Sequence, residues 1–220
     1  MAVFASLLYC EKALSPAETQ EQVDKALVKA LGVEGGTSVR QAGSLDKNSA
    51  DYHALVEYKG AYILRMLRWV IGPEKFSKLL STFVDRFSKT PLSTEALTQL
   101  ASETAGEDMG YFFDQWLNAP GVPEMKETWT VFRTGDGWEI QGQVKQDLDL
   151  FRMPVEIEFV TDGDPEYKRV EVSGSSSNFD VMTQRKPKEI LIDPQKKILR
   201  MSNDIRVSVY INRGEEASNE

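Results

Sequence analysis

The spacing of apolar residues along the chain changes near residue 124. Before that point they recur every three or four positions, as in Phe76, Leu79 and Phe83, which is the period of a helix that buries one face. After it they alternate with polar residues, which is the period of a strand with one buried face. This order predicts an α+β fold with segregated halves: an all-helical N-terminal half followed by an antiparallel β-sandwich.

The helical half carries clear start and stop signals. One helix has a full set: Ser15 as cap, Pro16 at the first helical position, Glu18 to complete a capping box and Gly32 to end it. Another helix includes the EYKG sequence at 57–60 and runs to Ile71. Between these two helices lies a Gly/Ser/Asp-rich stretch, which predicts a long loop that is either disordered or lies over a functional cleft.

The second half consists of short runs with a period of two. In WEIQGQV, Trp138, Ile140 and Val144 share one face against Glu and Gln on the other. The further runs are TWTVFRT, PVEIEFV, KRVEVSG, SNFDVMT and KEILIDP. Six or seven strands of this length and spacing are typical of a small β-sandwich. The predicted divisions are residues 1–124 for the helical half, 125–205 for the β-sandwich and 206–220 for a polar tail.

Charge and composition narrow the function. The chain has 220 residues with 34 acidic and 26 basic side chains, a net charge of -8, so a protein that binds nucleic acid through phosphate contacts is excluded. The N-terminus contains a short apolar run, but no basic residue precedes it and Glu11 and Lys12 end it. We therefore predict neither a signal peptide nor a membrane span, and localisation stays open between secreted and cytoplasmic.

The inventory of catalytic side chains is small. The chain contains one histidine, His53, and one cysteine, Cys10, so it cannot form an internal disulfide or the H-E-x-x-H helix of a zinc hydrolase. A nucleophilic pair of Cys10 and His53 is formally available, but the apolar run around Cys10 favours a buried structural thiol. Nothing near His53 is arranged as a partner for a catalytic base, so we expect a surface or capping histidine. We predict no metal or cofactor site in this chain.

Several motifs in order resemble one known family. The segments are EYKGAYILRMLRWVIGPEKFSKLLSTF, LSTEAL, DMGYFFDQWLNAPGVPE and ILIDP. Together with the α-then-β order, they resemble the aminopeptidase N family of gluzincin zinc metallopeptidases. In that family a helical lobe carries a Tyr-x-Lys-Gly helix, a later F-F-x-x-W…G-x-P segment follows, and a β-sandwich comes next. The resemblance covers nearly the whole chain.

The resemblance also implies what the chain lacks. MAVFASLLYCEK resembles the helix that directly follows the third zinc ligand of the family, so the zinc site is expected upstream of Met1. Zinc and a peptide substrate are then expected of the intact family member, which would hydrolyse N-terminal peptide bonds. This chain would supply a wall of the substrate cleft and a β-sandwich that braces it. Alone, it is expected to bind no catalytic zinc and to be inactive.

The tyrosine of the family motif is displaced here. In the family, the Tyr two residues before Lys stabilises the oxyanion of the tetrahedral intermediate. Glu57 occupies that position in this chain, and Tyr58 follows it. One residue of an α-helix is a rotation of about 100°, so Tyr58 can take the role only with a local bulge or a different helix start. The resemblance implies Tyr58 and Tyr52 as candidate catalytic residues, Tyr52 matching a second active-site tyrosine of some relatives.

Other interpretations remain open. Tyr58 is in helical phase with Tyr62, Met66 and Trp69, which is equally typical of an amphipathic packing residue. The substitution by Glu57 is compatible with a non-catalytic relative that serves as an interaction module, and an unrelated structural role is a third hypothesis. Because the family packs this lobe on its zinc-bearing half, we expect exposed apolar faces on the first helix and self-association of the isolated chain.

Overall fold

A computed structural model describes residues 2–32, 37–89, 93–135 and 137–201. Its first half is helical. The helices are α1 (Ala2–Ala13), α2 (Pro16–Leu31), α3 (Ala50–His53), α4 (Gly60–Ile71), α5 (Pro73–Phe87), α6 (Thr94–Ala105) and α7 (Gly110–Phe113), with a 3-10 helix at Val39–Ser44 and π-helical turns at Ala54–Lys59 and Asp114–Asn118. The predicted α+β fold with segregated halves is confirmed.

The capping signals act as predicted. The Ser15 hydroxyl accepts from the Glu18 N–H, and the Glu18 carboxylate in turn accepts from the Ser15 N–H at 3.0 Å, which completes the capping box of α2. Gly72, with a φ of 88°, ends α4 in a backbone conformation that favours glycine and lets α5 begin at once.

The predicted loop after α2 is more ordered than expected. Residues 33–36 lie outside the described ranges, but Ser38 and Gln41 form a capping box for the 3-10 helix. The next helix begins at Ala50, well before the EYKG sequence, because Ser49 accepts from the Tyr52 N–H at 3.1 Å. The sequence interpretation passed over these two serine caps.

The second half forms two antiparallel sheets in the described residues. The strands are β1 (Met125–Thr134), β2 (Gly137–Gln146), β3 (Met153–Val160), β4 (Glu166–Val172), β5 (Ser176–Thr183) and β6 (Glu189–Ile192). One sheet has the order β1-β2-β5 and the other β4-β3-β6. The inner residues of β3, Val155, Ile157 and Phe159, are fully buried, as the period of two predicts. The predicted tail at 206–220 lies outside the described residues.

Buried side chains continue from the helical half into the β half. Trp116, in the second π-helical turn, packs against Phe151 just before β3, with ring centroids 4.6 Å apart. Gln115 next to it bonds both backbone groups of Arg152, at 2.9 Å each. The two halves are therefore joined by packed and hydrogen-bonded surfaces as well as by the linker at 119–124.

Candidate functional site

The EYKG sequence begins in a π-helical turn. α3, the turn at Ala54–Lys59 and α4 follow one another without interruption, and Gly60 is the first residue of α4. A π-helical turn holds one residue more than an α-helical turn, and such turns occur often at functional sites. This turn is a local bulge that includes Tyr58, as the sequence prediction requires if Tyr58 is to act in place of the displaced tyrosine.

Tyr58 is partly buried and contacts α2. Its hydroxyl oxygen accepts a hydrogen bond from Lys29 Nζ at 2.8 Å, and the same ammonium lies 4.6 Å from the centre of the ring. A tyrosine that accepts in this way still has its own O–H proton to donate. The positive charge of Lys29 therefore lies beside the Tyr58 hydroxyl.

Glu57 faces solvent beside histidine. Its side chain is 47% exposed, and its carboxylate lies 3.1 Å from Nδ1 of His53, one turn earlier. His53 is exposed, as predicted, but the expectation that nothing near it is arranged as a partner is wrong, because the Glu57 carboxylate lies beside it. The charge of Glu57 is directed to this pair at the surface, away from a buried environment in which a carboxylate would be costly.

Tyr52 has different neighbours from Tyr58. It is partly buried at the start of α3, and its ring stands edge-on to His53 with centroids 6.0 Å apart. Tyr52 thus joins the His53–Glu57 pair, whereas Tyr58 joins Lys29. The two predicted tyrosines thus lie on one continuous helical segment, but they contact different residues.

Lys59 is a buried residue that sequence reasoning did not select. Its side chain is only 4% exposed, and Nζ donates to the carbonyl oxygen of Gly121 at 3.3 Å. Burial lowers the pKa of the Lys59 ammonium, because the charged form loses its hydration. The bond ties the end of the π-helical turn to the linker before β1. The Lys59-Gly60 pair in the EYKG sequence is the pattern from which the importance of Lys59 could have been predicted.

Three side chains along α4 bind the helix to the β half. The Tyr62 hydroxyl and Arg65 Nη1 each donate to the carbonyl oxygen of Lys196, at 2.6 Å. Trp69 Nε1 donates to the Pro154 carbonyl at 2.9 Å. Burial raises the pKa of Tyr62 far above its usual range, so its hydroxyl stays a donor.

The two arginines of α4 have different partners. Arg68 forms an ion pair with Glu11 of α1 at 2.5 Å. Arg65 donates to the backbone carbonyls of Lys196 and Gln195. The reason is that the turn after β6 presents its carbonyl oxygens to α4, which a single-sequence pattern does not reveal.

The ILIDP motif forms that turn. Asp193 is 2% exposed and accepts from the backbone N–H groups of Lys197 at 2.7 Å and Ile198 at 3.0 Å. Burial raises the pKa of the Asp193 carboxyl to about 6, against the opposing effect of the nearby Arg200 guanidinium. Asp193 therefore holds the turn whose carbonyl oxygens bind α4.

The described residues do not fit a zinc site. They include no group of three or more His, Cys, Asp or Glu side chains that could hold a metal ion. Cys10, predicted to be buried, is partly exposed on α1. Within the described ranges, no helix is both long enough and apolar enough to cross a membrane.

Comparison with known proteins identifies a family similarity. The Peptidase family M1 domain matches residues 1–116. Aminopeptidase N of Lactococcus lactis subsp. lactis is 34% identical over 70 residues, 32% of this chain and 8% of that protein. Aminopeptidase M1-A of Oryza sativa subsp. japonica is 29% identical over 79 residues, 36% of this chain and 9% of that protein.

A solved structure shares the fold. The crystal structure of Legionella pneumophila aminopeptidase A in complex with aspartic acid superposes with a TM-score of 0.56 at 18% identity, covering 67% of this chain and 17% of that one. At this identity the likeness shows the fold alone. The matched segments make up less than a tenth of the length of the two relatives above.

Proposed function

Because the chain belongs to peptidase family M1, we propose that its helical half forms one wall of a peptide-binding cleft and that its β half braces this wall. The observation that carries the proposal is the double attachment of the helix that bears the EYKG motif. Lys59 ties its start to the linker, and Arg65 and Trp69 bind its middle and its end to the β half. These contacts fix the helix directly after Tyr58, and a side chain next to a fixed element is held in place for binding or catalysis.

Tyr58 is proposed as the donor that this wall presents to a substrate carbonyl. The π-helical turn supplies the bulge that the displaced motif requires, and Lys29 leaves the Tyr58 proton free to donate. The Lys29 ammonium also places a positive charge beside the Tyr58 hydroxyl, whereas the Glu57 carboxylate is paired with His53. Tyr52 is proposed as a second tyrosine of the same wall.

For the complete protein, we also propose that it binds zinc and a peptide substrate. The residues described here provide no ligand set, so the metal would be held by other parts of the polypeptide, and no chemical step on the metal is assigned to this chain. What the chain contributes is a hydrogen-bond donor, the orientation of that donor and one side of the cleft.

The isolated 220-residue chain is expected to be inactive. Purified with added zinc, it should release no product from aminoacyl anilides, because one histidine cannot build the metal site of a zinc hydrolase. Metal content by atomic absorption and a fluorogenic assay check this, with a complete M1 aminopeptidase as positive control. Stoichiometric zinc together with turnover would overturn the proposed division of roles.

Substitution of Tyr58 in the protein encoded by the complete reading frame tests whether this residue acts in the cleft. Sequencing the gene upstream of the Met1 codon establishes whether an H-E-x-x-H helix is in frame. In the protein that includes it, Tyr58→Phe is expected to lower kcat about 100-fold with little change in KM, since one donor to the transition state is lost. Tyr167→Phe, at a 44% exposed position on β4, is the matched control. An unchanged kcat for Tyr58→Phe would remove Tyr58 from the site.

The second candidate function is a non-catalytic interaction module. The observation that favours it is Glu57, a carboxylate at the family position of the catalytic tyrosine. A stop codon and a promoter directly upstream of Met1 would support this alternative and contradict the cleft proposal.

Self-association is expected of the isolated chain. Apolar side chains are exposed on α1 and directly after it, with Tyr9 70% and Leu14 38% exposed. We propose that Tyr9 and Leu14 of one chain pack against the same residues of a second chain in a dimer, because exposed apolar area favours association. Sedimentation velocity should show a dimer that Tyr9→Glu with Leu14→Glu converts to monomer. Val84→Glu, at a 58% exposed position on α5, should leave the dimer intact. A wild-type monomer at every concentration would refute the expectation.

A further inference from the structure

A small cavity lies between α4 and the turn that follows β6. Its volume is about 310 Å³, and it opens between the helical and the β half. One part of the wall is formed by polar and charged side chains, those of Arg65, Arg68, Gln195 and Lys197, and the other by the rings of Trp69 and Pro73. None of these residues belongs to the EYKG sequence, but Arg65, Arg68 and Trp69 lie on α4, the helix that begins there.

Positive charge dominates this cavity. Three of its described lining residues are cationic, Arg65, Arg68 and Lys197, and a single carboxylate, that of Glu11, accompanies them. Arg68 pairs with Glu11 at 2.5 Å, and Lys197 pairs at 2.7 Å with Glu156, which is not among the lining residues. Such a concentration of cations is unusual in a chain with a net charge of -8.

Arg65 is the cation whose charge is least compensated. Two of its nitrogens donate to the neutral carbonyls of Lys196 and Gln195, and no carboxylate of the described residues forms an ion pair with it. The nearest buried acid is Asp193, on the same turn, and it shares its carboxylate with two backbone N–H groups. A guanidinium bonded only to carbonyls attracts an anion.

One side of the cavity is apolar and rigid. Trp69 and Pro73 line it. The Trp69 ring is held by three contacts: its Nε1 donates to the Pro154 carbonyl, the Lys197 ammonium lies 4.0 Å from the ring centre, and the Arg169 guanidinium lies 4.8 Å from it. A fixed aromatic surface next to cations suits a ligand with both an anionic and an apolar part.

We infer that this cavity binds a small carboxylate that carries an apolar group. The carboxylate would lie between Arg65 and Arg68 and accept one charge-assisted hydrogen bond from each guanidinium. Single bonds are expected because Nη1 and Nη2 of Arg65 also donate to carbonyls and Nη1 of Arg68 to Glu11. The apolar group would lie against Trp69 and Pro73. A cavity of about 300 Å³ is at the small end of ligand pockets, which limits the ligand to roughly the size of benzoate. The inference goes beyond the proposed peptidase role and does not depend on it.

Calorimetric titration of the 220-residue chain with benzoate tests the inference. Benzoate is expected to bind with a Kd on the order of 1 mM. Benzamide has the same shape without the charge, and it should bind at least about 10-fold more weakly because it cannot form charge-assisted bonds to the arginines. Equal binding of the two compounds, or no benzoate heat up to about 10 mM, would refute the site.

Two substitutions with opposite expected effects locate the binding. Arg68→Gln removes a cation and should weaken benzoate about 10-fold, whereas Glu11→Gln removes the competing carboxylate and should tighten it about 3-fold. Both side chains are about one-third exposed and paired only with each other at their charged ends, so the fold should persist, as thermal melts can verify. Changes in the same direction, or none, would overturn the assignment.

Discussion

Replacing Trp116 with alanine is expected to lower the free energy of unfolding by about 3–5 kcal/mol. The side chain is 1% exposed and sits in the second π-helical turn, where it packs on Phe151 across the junction of the two halves. Removing the indole leaves a large cavity that the surrounding residues cannot fill without shifting both halves. Urea denaturation followed by circular dichroism measures the change.

Trp116→Phe is the matched control. It retains an aromatic ring against Phe151, and it removes a buried Nε1–H for which the described residues offer no acceptor. An unpaired buried donor costs about 1–3 kcal/mol, so its removal offsets part of the lost volume. We expect Trp116→Phe to remain within about 1.5 kcal/mol of wild type. If both substitutions were equally costly, or if alanine were tolerated, the junction would not depend on this ring.

Local signals were sufficient for most of the fold. The Ser15–Glu18 capping box, the left-handed Gly72 and the alternating positions of β3 each act over a few residues, so their patterns could be read from the sequence. The helix start at Ala50 was also encoded locally, by Ser49, but the polar composition of that stretch concealed it.

Contacts between distant residues were not predictable from the sequence. Arg65 and Lys196 are 131 positions apart, and the acceptor is a backbone carbonyl, which every residue has and no pattern marks. The same holds for Lys59 and the carbonyl of Gly121. The attachments of α4 therefore emerge only from the packing of the two halves.

The candidate site shows the same limit at shorter range. The sequence showed that Tyr58 is displaced by one residue and that a bulge would be required. It did not show that the bulge is a π-helical turn, because such a turn depends on how its neighbours pack as well as on its own residues. Nor did the pattern associate Lys29 with Tyr58, since 29 positions separate them.

Replacing Asp193 with alanine is expected to lower the free energy of unfolding by about 3–5 kcal/mol at pH 7. Two buried backbone N–H groups, of Lys197 and Ile198, would lose their acceptor, and Arg200 would lose a nearby carboxylate. The turn also presents the carbonyls that bind α4. The damage should therefore reach the helical half, visible as faster hydrogen exchange of the α4 amides.

Asp193→Asn isolates the charge from the hydrogen bonds. Asparagine removes the charge, keeps one of the two acceptor oxygens and tolerates the φ of 50° at this position. The hydrogen bond that is lost lowers stability by an amount that does not depend on pH, so the pH dependence still reports the charge alone. Burial raises the folded-state pKa of Asp193 from 3.8 to about 6, so between these pH values the folded protein binds a proton that the unfolded chain has released. The contribution of this group to stability therefore falls as pH rises from about 4 to 6, with a slope of up to about 1.4 kcal/mol per pH unit.

The pH profile of the Asp193→Asn variant is the decisive measurement. Since the asparagine side chain does not titrate, the stability of the variant relative to wild type should rise between about pH 4 and 6 and stay level above it. Paired urea titrations across that range give the difference directly, and other titrating groups cancel because both proteins share them. A constant difference would mean that Asp193 is ionised in the folded protein throughout, with the Arg200 guanidinium outweighing the effect of burial.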